Sequence, residues 1–277
     1  MARIAYQGEP GAFSHEACRR WFPEHEPAPH GTFEAAFDSV ANGACALGII
    51  PVENSVAGRV SDVHHLLPAS GLTIIGERFL PIHMHLMAPR GTAVGEVKVA
   101  ASHPMALTQC RKSLRELGIA PEVAGDTAGA AHALAQAPEP GRAAVASAAA
   151  AELYGLEIVA RNLEDDRTNT TRFLVLSKAA PEPPPFTRRC VTAFTFRVRN
   201  VPAALFKALG GFATNGVNMT KLESYTEDGS FTATFFYAEV DGRPEDRGLA
   251  LALEELGFFA EKVELLGVFP ADAFRDR

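Results

Sequence analysis

The sequence predicts an α/β protein that ends in a smaller βαββαβ module. Three observations predict it. Short apolar runs of strand length alternate with amphipathic helical stretches as far as Ser177. A segment carrying Pro181, Pro183, Pro184 and Pro185 then breaks the pattern, and prolines so spaced favour an extended, stiff linker. Beyond it come longer alternating strands around two helices. With 277 residues, 47% hydrophobic and 21% charged, the chain has globular composition and room for about two domains.

Composition also excludes several classes. The net charge is -7, with acids and bases interspersed, whereas a nucleic-acid binder shows a basic patch or stripe. The start, Met1 to Gly8, lacks the apolar core and cleavage site of a signal peptide. No apolar run reaches the roughly 18 residues of a membrane span. Cys18, Cys45, Cys110 and Cys190 are scattered without a Cys-x-x-Cys pair. Neither a zinc site nor a disulfide framework is therefore expected, and the chain reads as cytoplasmic with no metal and no membrane partner.

Residues 3–7 read as a first strand. The turn Gly8-Glu9-Pro10-Gly11-Ala12-Phe13-Ser14 leads into a helix from Phe13 to Trp21. A Gly-rich turn at a helix N-terminus presents backbone N–H groups that suit a carboxylate or phosphate; read alone it is also an ordinary tight turn. The G-x-G-x-x-G spacing of a dinucleotide site is absent. Thr32 to Asn42 is a helix with Thr32 as its cap. Ala44 to Val52 is a buried strand ending in Glu53-Asn54-Ser55, which is either a polar site or the capped start of a helix to Leu67.

Two strands follow between Leu72 and Pro89. His83 and His85 share a strand face, but no third ligand accompanies them, and a metal needs three or four. Val97 to Ser102 is a strand, and His103 opens one helix to about Leu117, with Pro104 at its first position. Ser102, His103 and Gln109 are placed to face a ligand. A strand near Glu122 to Ala124 precedes Asp126-Thr127, where Asp126 caps the Ala-rich helix 128–137. A strand at 143–146, a helix at 147–154 and a strand at 157–161 complete a rhythm of largely parallel pairing.

Asn169-Thr170-Thr171-Arg172-Phe173 then opens a buried strand running to Ser177. Its hydroxyls and guanidinium lie at a strand mouth, where α/β folds commonly bind ligands; the same residues also suit a turn-capping Asn and a surface Arg. After the linker, Val191 to Val198 is a strand and Pro202 starts a helix that Asn215-Gly216 ends. Val217 to Ser224 is a strand, Glu227-Asp228-Gly229-Ser230 a hairpin turn, and Phe231 to Val240 its partner strand. A helix from Arg247 to Leu256, closed by Gly257, and a strand from Val263 to Phe269 complete a ferredoxin-like order. An edge strand of such a sheet is open to a second copy.

Six stretches together resemble one family, prephenate dehydratase with a C-terminal ACT regulatory domain. They are Tyr6 to Ser14, Gly48 to Gly58, Ser102 to Leu107, Asp126-Thr127, Asn169 to Phe173, and Gly216 to Ser224, in family order. The resemblance implies a catalytic domain over 1–178 built as two periplasmic-binding-protein-like lobes, about 1–80 with 165–178 and about 81–164. A linker at 179–189 and an ACT domain at 190–277 follow.

The resemblance further implies decarboxylating dehydration of prephenate to phenylpyruvate, without any cofactor, in phenylalanine biosynthesis. Arogenate as substrate and a non-catalytic amino-acid sensor are the alternatives it leaves. Thr171, Arg172 and Glu53 are the catalytic candidates: Thr171 to donate to the departing hydroxyl, Glu53 as its partner, Arg172 to hold a carboxylate or to support the site. Gly11, Ala12, Ser14, Asn54, Ser55, Ser102, His103, Asp126, Thr127, Asn169 and Phe173 are the substrate-binding candidates, with Asn169 to Phe173 facing Glu53 to Ser55 across the cleft. Ala203, Leu205, Asn218, Met219, Leu222, Glu223 and Ser224 are the candidates for feedback by L-phenylalanine at an ACT homodimer, or within a homotetramer. The chain departs from the family at Met105, where many members have Gln. It also has Tyr225-Thr226 for Arg-Pro, and Pro202-Ala203-Ala204-Leu205 for Gly-Ala-Leu-Val.

Overall fold

The computed structural model describes residues 1–179, 189–226 and 233–276. The linker expected at 179–189, its two end residues apart, and the hairpin turn at Glu227–Ser230 lie outside the described residues. The chain divides into two units, Met1–Ser70 with Arg78–Leu174, and Gly71–Glu77 with Val175–Arg277.

The first unit holds two lobes. The chain opens with β1 (Arg3–Gln7), α1 (Phe13–Trp21), β2 (Glu26–His30), α2 (Phe33–Ala41), β3 (Leu47–Asn54), the short β4 (Gly58–Arg59), α3 (Ser61–Ala69) and β5 (Thr73–Pro81). The first sheet has the order β2-β1-β3, then a late strand, then β5. Ile4 and Tyr6 of β1 and Ile49 of β3 are buried in its core. The sequence reading passed over β2 because Pro27 and Pro29 remove two of its five ladder donors. The strand forms because it lies at the sheet edge, where a missing donor costs no second ladder. Thr32 caps α2 as expected, accepting from Ala35 N–H at 3.2 Å. The helix expected directly after Glu53-Asn54-Ser55 starts later, at Ser61, because β3 turns back into β4 first.

The second lobe comprises β6 (His85–Ala88), β7 (Val99–Ser102), α4 (Pro104–Gln109), α5 (Arg111–Glu116), β8 (Ala120–Val123), α6 (Thr127–Gln136), β9 (Arg142–Ala146), α7 (Ala148–Tyr154) and β10 (Glu157–Ala160). Its sheet order is β10-β6-β9-β7-β8. Pairing is not largely parallel here: β6 runs antiparallel to both β9 and β10, while β7 pairs parallel with β8 and β9. The reason is the route of the chain. β6 enters from the first lobe and leaves the cleft, whereas β7 and β8 end at it. The core is small-residue packing, with Ala128, Ala131, Ala144, Ala146 and Ala150 fully buried around Met87.

The single helix expected from His103 to Leu117 is two. The amides of Lys112 and Ser113 donate to the Asp165 carboxylate at 2.9 and 3.3 Å, giving α5 its own N-terminal cap across 53 residues of chain. Such a partner is invisible to local periodicity. The chain returns through β11 (Thr170–Ser177), which inserts between β3 and β5. The two crossings between lobes are tied together, Ile82 N–H to Asn169 O and Leu163 N–H to Met84 O, each 2.8 Å.

In the second unit, β12 (Cys190–Val198), α8 (Ala204–Thr214), β13 (Met219–Thr226), β14 (Ala233–Asp241), α9 (Arg247–Phe259) and β15 (Ala260–Pro270) form the βαββαβ order. The sheet is antiparallel, β13-β14-β12-β15, so β13 and β15 are its edges. Phe194, Phe196, Phe212, Leu249 and Leu256 form the core between sheet and helices. Two boundaries differ from expectation. Pro202 precedes α8 rather than starting it, because Ala203 takes a left-handed φ of 63°. Gly257 does not stop α9: it is not among the positive-φ glycines that end helices, and Ala260 N–H bonds back to Leu256 O. Gly71–Glu77 is bound into this unit. Fully buried Glu77 takes Arg275 Nε at 2.6 Å and Nη2 at 3.0 Å, and Gly267 packs so closely that a Cβ there would collide with Ile74 O.

Candidate active site

A strand gives its alternate side chains to opposite faces, and this decides which candidates meet. On β11, Thr171 and Phe173 line a cavity of about 290 Å³ in the first unit, and on β3 Asn54 does. Arg172 points to the other face, buried, with its guanidinium 5.8 Å from the ring of Phe79. Glu53 likewise is not among the lining residues. Thr171 and Arg172 are adjacent on β11, so the strand brings only one of them to the cavity; on β3 Pro51 also lines it, and Asn54 reaches it from the strand's last position, where the chain turns toward β4. Nor do the two motifs face each other across the cleft. They are neighbours in one lobe, with β3 beside β11 and Ser55 N–H bonded to Thr170 O at 2.9 Å.

Three amides fix the proton of Thr171. Asn54 Oδ1 accepts from the backbone N–H of Val56 (3.0 Å) and Ala57 (2.7 Å), which can only donate. Its Nδ2 therefore faces the other way, donating to Asn169 Oδ1 at 2.7 Å and to Thr171 Oγ1 at 2.9 Å. Asn169 Nδ2 donates on to Gln109 Oε1 at 3.1 Å, and Gln109 Nε2 returns toward Asn54 Oδ1 at 3.4 Å. A hydroxyl that already accepts keeps its own hydrogen to donate. Thr171 is thus held as a donor. Gln109 comes from α4 of the second lobe, one helical turn beyond Met105, and it carries an amide to the cavity where Met105 does not.

The cavity has an anion-binding side. Ala12 is the N-cap of α1 and gives it no side-chain cap, and Ala12, Phe13 and Ser14 line the cavity. Its first N–H groups and the positive end of its dipole are open to a carboxylate. Ser14 is a buried residue on the cavity wall, and among the described residues its hydroxyl has no hydrogen-bond partner, so it is available to a carboxylate or to water. His103, Asp126 and Thr127 approach from the second lobe. His103 Nδ1 accepts from Met105 N–H at 3.2 Å, which leaves the proton on Nε2 in the neutral ring. Asp126 caps α6 through Gly129 N–H at 2.6 Å. None of the lining residues is Lys or Arg, so dipoles and hydroxyls carry the anion recognition. The remaining wall is apolar: Phe13, Pro51, Val60, Ile82, Met84 and Phe173. Of these, sequence reading had no signal for Val60, Ile82 and Met84; Pro51, and polar Gln7, which also lines the cavity, lie within the resembling stretches but were not named as site candidates.

Three further candidates are structural in place. Ser55 Oγ donates to Thr168 O at 3.0 Å and accepts from Thr170 N–H at 2.9 Å. Ser102, fully buried, donates to Val145 O at 2.6 Å. Gly11 packs its backbone on Ala150 rather than lining the cavity. Cys110, beside the site, is not a nucleophile: burial, with Glu164 and Asp165 nearby, pushes its thiol up to about 12. Among the described residues no group of three His, Cys, Asp or Glu is placed to hold a metal.

The regulatory candidates belong to the second unit. Asn218 Nδ2 bonds Asp241 at 2.8 Å, and Glu223 takes Lys221 at 2.8 Å and the Tyr225 hydroxyl at 2.5 Å. Tyr225 is buried, so where the family pattern has Arg this chain turns a phenol onto Glu223. Leu222 and Ser224 are exposed along edge strand β13, Met219 is half-buried at its start, Leu205 packs on the core and Ala203 sits at the head of α8.

The sequence model of the family described as prephenate dehydratase matches residues 4–181. A bifunctional N-acyl-homoserine lactone acylase/prephenate dehydratase of Komagataeibacter europaeus is 48% identical, over 98% of this chain and 97% of its own. Arogenate dehydratase/prephenate dehydratase 1 of Arabidopsis thaliana is 37% identical, over 99% of this chain and 73% of its own. Among solved structures, prephenate dehydratase from Arthrobacter aurescens in complex with L-Phe superposes with a TM-score of 0.88 at 26% identity, over 98% of this chain and 90% of that one.

Proposed function

The chain belongs to the prephenate dehydratase family, and on that premise we propose how its cavity carries out the reaction. Prephenate is a cyclohexadiene with a ring carboxylate, a pyruvyl carboxylate and a ring hydroxyl. In the reaction the ring carboxylate leaves as CO2, its C–C bonding pair enters the ring, and the C–O bond opposite breaks. One proton joins the departing hydroxide to give water, and aromatic phenylpyruvate remains. No electrons are exchanged with a cofactor.

Thr171 is the donor to the departing oxygen. The observation that carries this is the Asn54 amide, which donates to Thr171 Oγ1 and turns the threonine hydrogen away from itself. General-acid help of this kind is worth about 10²–10⁴-fold. The open α1 N-terminus and Ser14 take one substrate carboxylate, with His103 Nε2–H and Thr127 available to the other. The apolar wall accepts the ring as it becomes planar. Arg172 supports the strand from behind instead of binding substrate, and Glu53 has no direct part.

Purified protein supplied with prephenate should form phenylpyruvate, followed by its absorbance in alkali. Arogenate is supplied in parallel and followed as phenylalanine, and no product from either substrate would overturn the reading. A second activity, amide hydrolysis of N-acyl-homoserine lactones, is favoured by the bifunctional relative's 98% coverage of this chain and by the apolar wall, which suits an acyl chain. Release of homoserine lactone in the same preparation tests it.

The βαββαβ unit is read as an ACT domain that pairs with a second copy and binds L-phenylalanine. Its edges β13 and β15 carry exposed Leu222, Val263 and Leu265, which suits edge pairing into a homodimer. L-Phenylalanine should raise the melting temperature by a few degrees at saturation and change the dehydratase rate. No shift in either would exclude regulation by this amino acid.

A further inference from the structure

The turn that feeds α1 is held from the opposite lobe. Ser147 Oγ donates to Gly11 O and Tyr154 OH donates to Pro10 O, each at 2.6 Å. These are successive carbonyls of the turn in the first lobe, and both hydroxyls come from α7 and its cap in the second, 136 and 144 residues away. Ser147 is fully buried and also caps α7 through Ala150 N–H at 3.1 Å. The Tyr154 ring is fixed by stacking on His132, 4.8 Å between centroids. The approach is close enough to need glycine: a Cβ on Gly11 would stand 2.9 Å from Ala150 Cα, and Gly11 has a φ of 91°. Within the first lobe the turn has its own anchor. Gly11 N–H donates to His15 Nδ1 at 2.9 Å, and that ring lies stacked on Tyr6. Burial, then Arg19, lowers the His15 pKa, so the ring is neutral and able to accept at neutral pH.

We propose that Ser147 and Tyr154 are positioning residues for the dehydratase reaction: they clasp the Pro10–Gly11 turn from the second lobe and so set the α1 N-terminus against the substrate carboxylate. Neither residue lines the cavity, so their effect passes through Ala12, Phe13 and Ser14, which do. A turn fixed at two carbonyls presents its N–H groups pre-oriented, and binding then spends less free energy on ordering it.

This rests on the dehydratase reading, so wild-type turnover of prephenate is measured first; its absence counts against that reading and not against the clasp. Tyr154→Phe removes one hydroxyl and keeps the stacked ring. Ser147→Ala removes the other together with a helix cap, and its folding is checked by melting temperature. Loss of a neutral hydrogen bond corresponds to a few-fold to tenfold change. Tyr154→Phe should therefore raise KM about five-fold and the double variant more, with kcat within about twofold of wild type. A purely structural role would lower the active fraction, and hence kcat, and leave KM alone. A folded Tyr154→Phe protein with wild-type KM would overturn the proposal, as would a fall in kcat alone.

Discussion

Thr171→Val will lower the turnover of prephenate by at least about a hundredfold, with far-UV circular dichroism unchanged. Valine keeps the β-branched shape that suits a strand and deletes only the hydroxyl. The neighbouring network survives, because Asn54 Nδ2 retains Asn169 Oδ1 at 2.7 Å. The stability cost should thus be near the about 1 kcal/mol of one hydrogen bond. What disappears is the one donor whose hydrogen is turned out of the amide ring by its own geometry. KM should change little, since the carboxylates are held elsewhere, at α1 and on the second lobe. Near-normal kcat in the folded variant would remove Thr171 from the chemistry.

Asn54→Asp tests the orientation itself. It replaces Nδ2 by an acceptor, while Val56 and Ala57 N–H keep the first oxygen in place. The second oxygen then faces Thr171 Oγ1 at a distance now 2.9 Å. Thr171 will donate to the carboxylate, and its hydrogen is withdrawn from the substrate. A comparable loss of kcat, about a hundredfold, is expected although Thr171 is intact. Groups that act as one unit are non-additive. The double variant Thr171→Val with Asn54→Asp should therefore be little slower than either single one. Multiplicative losses would mean that Asn54 acts on the substrate directly and not through Thr171.

Much of the element order was legible because its signals are local. Thr32 and Asp126 read as caps from sequence and act as caps in the structure. The apolar run after Thr171 reads as a strand and is one. The misses share a cause. The break between α4 and α5 is made by Asp165, β2 exists because it is an edge, and β6 is reversed because of where the chain enters the lobe. Each depends on a neighbour that is distant in sequence.

The site divides along the same line. The sequence by itself determined which residue types are present, that they belong to this family, and that a hydroxyl and an amide sit at the ends of two buried strands. The tertiary structure decided which member of each adjacent pair lines the cavity, Thr171 over Arg172 on β11 and Asn54 over Glu53 where β3 turns toward β4. Alternation along β11 defines two faces, but only the packing of the sheet selects the one that meets the ligand. It also decided the direction of the Thr171 hydrogen, through Asn54 and Gln109. The hold on the α1 turn likewise comes from Ser147 and Tyr154. Those contacts link positions 55 to 144 residues apart, a separation that only the folded chain closes.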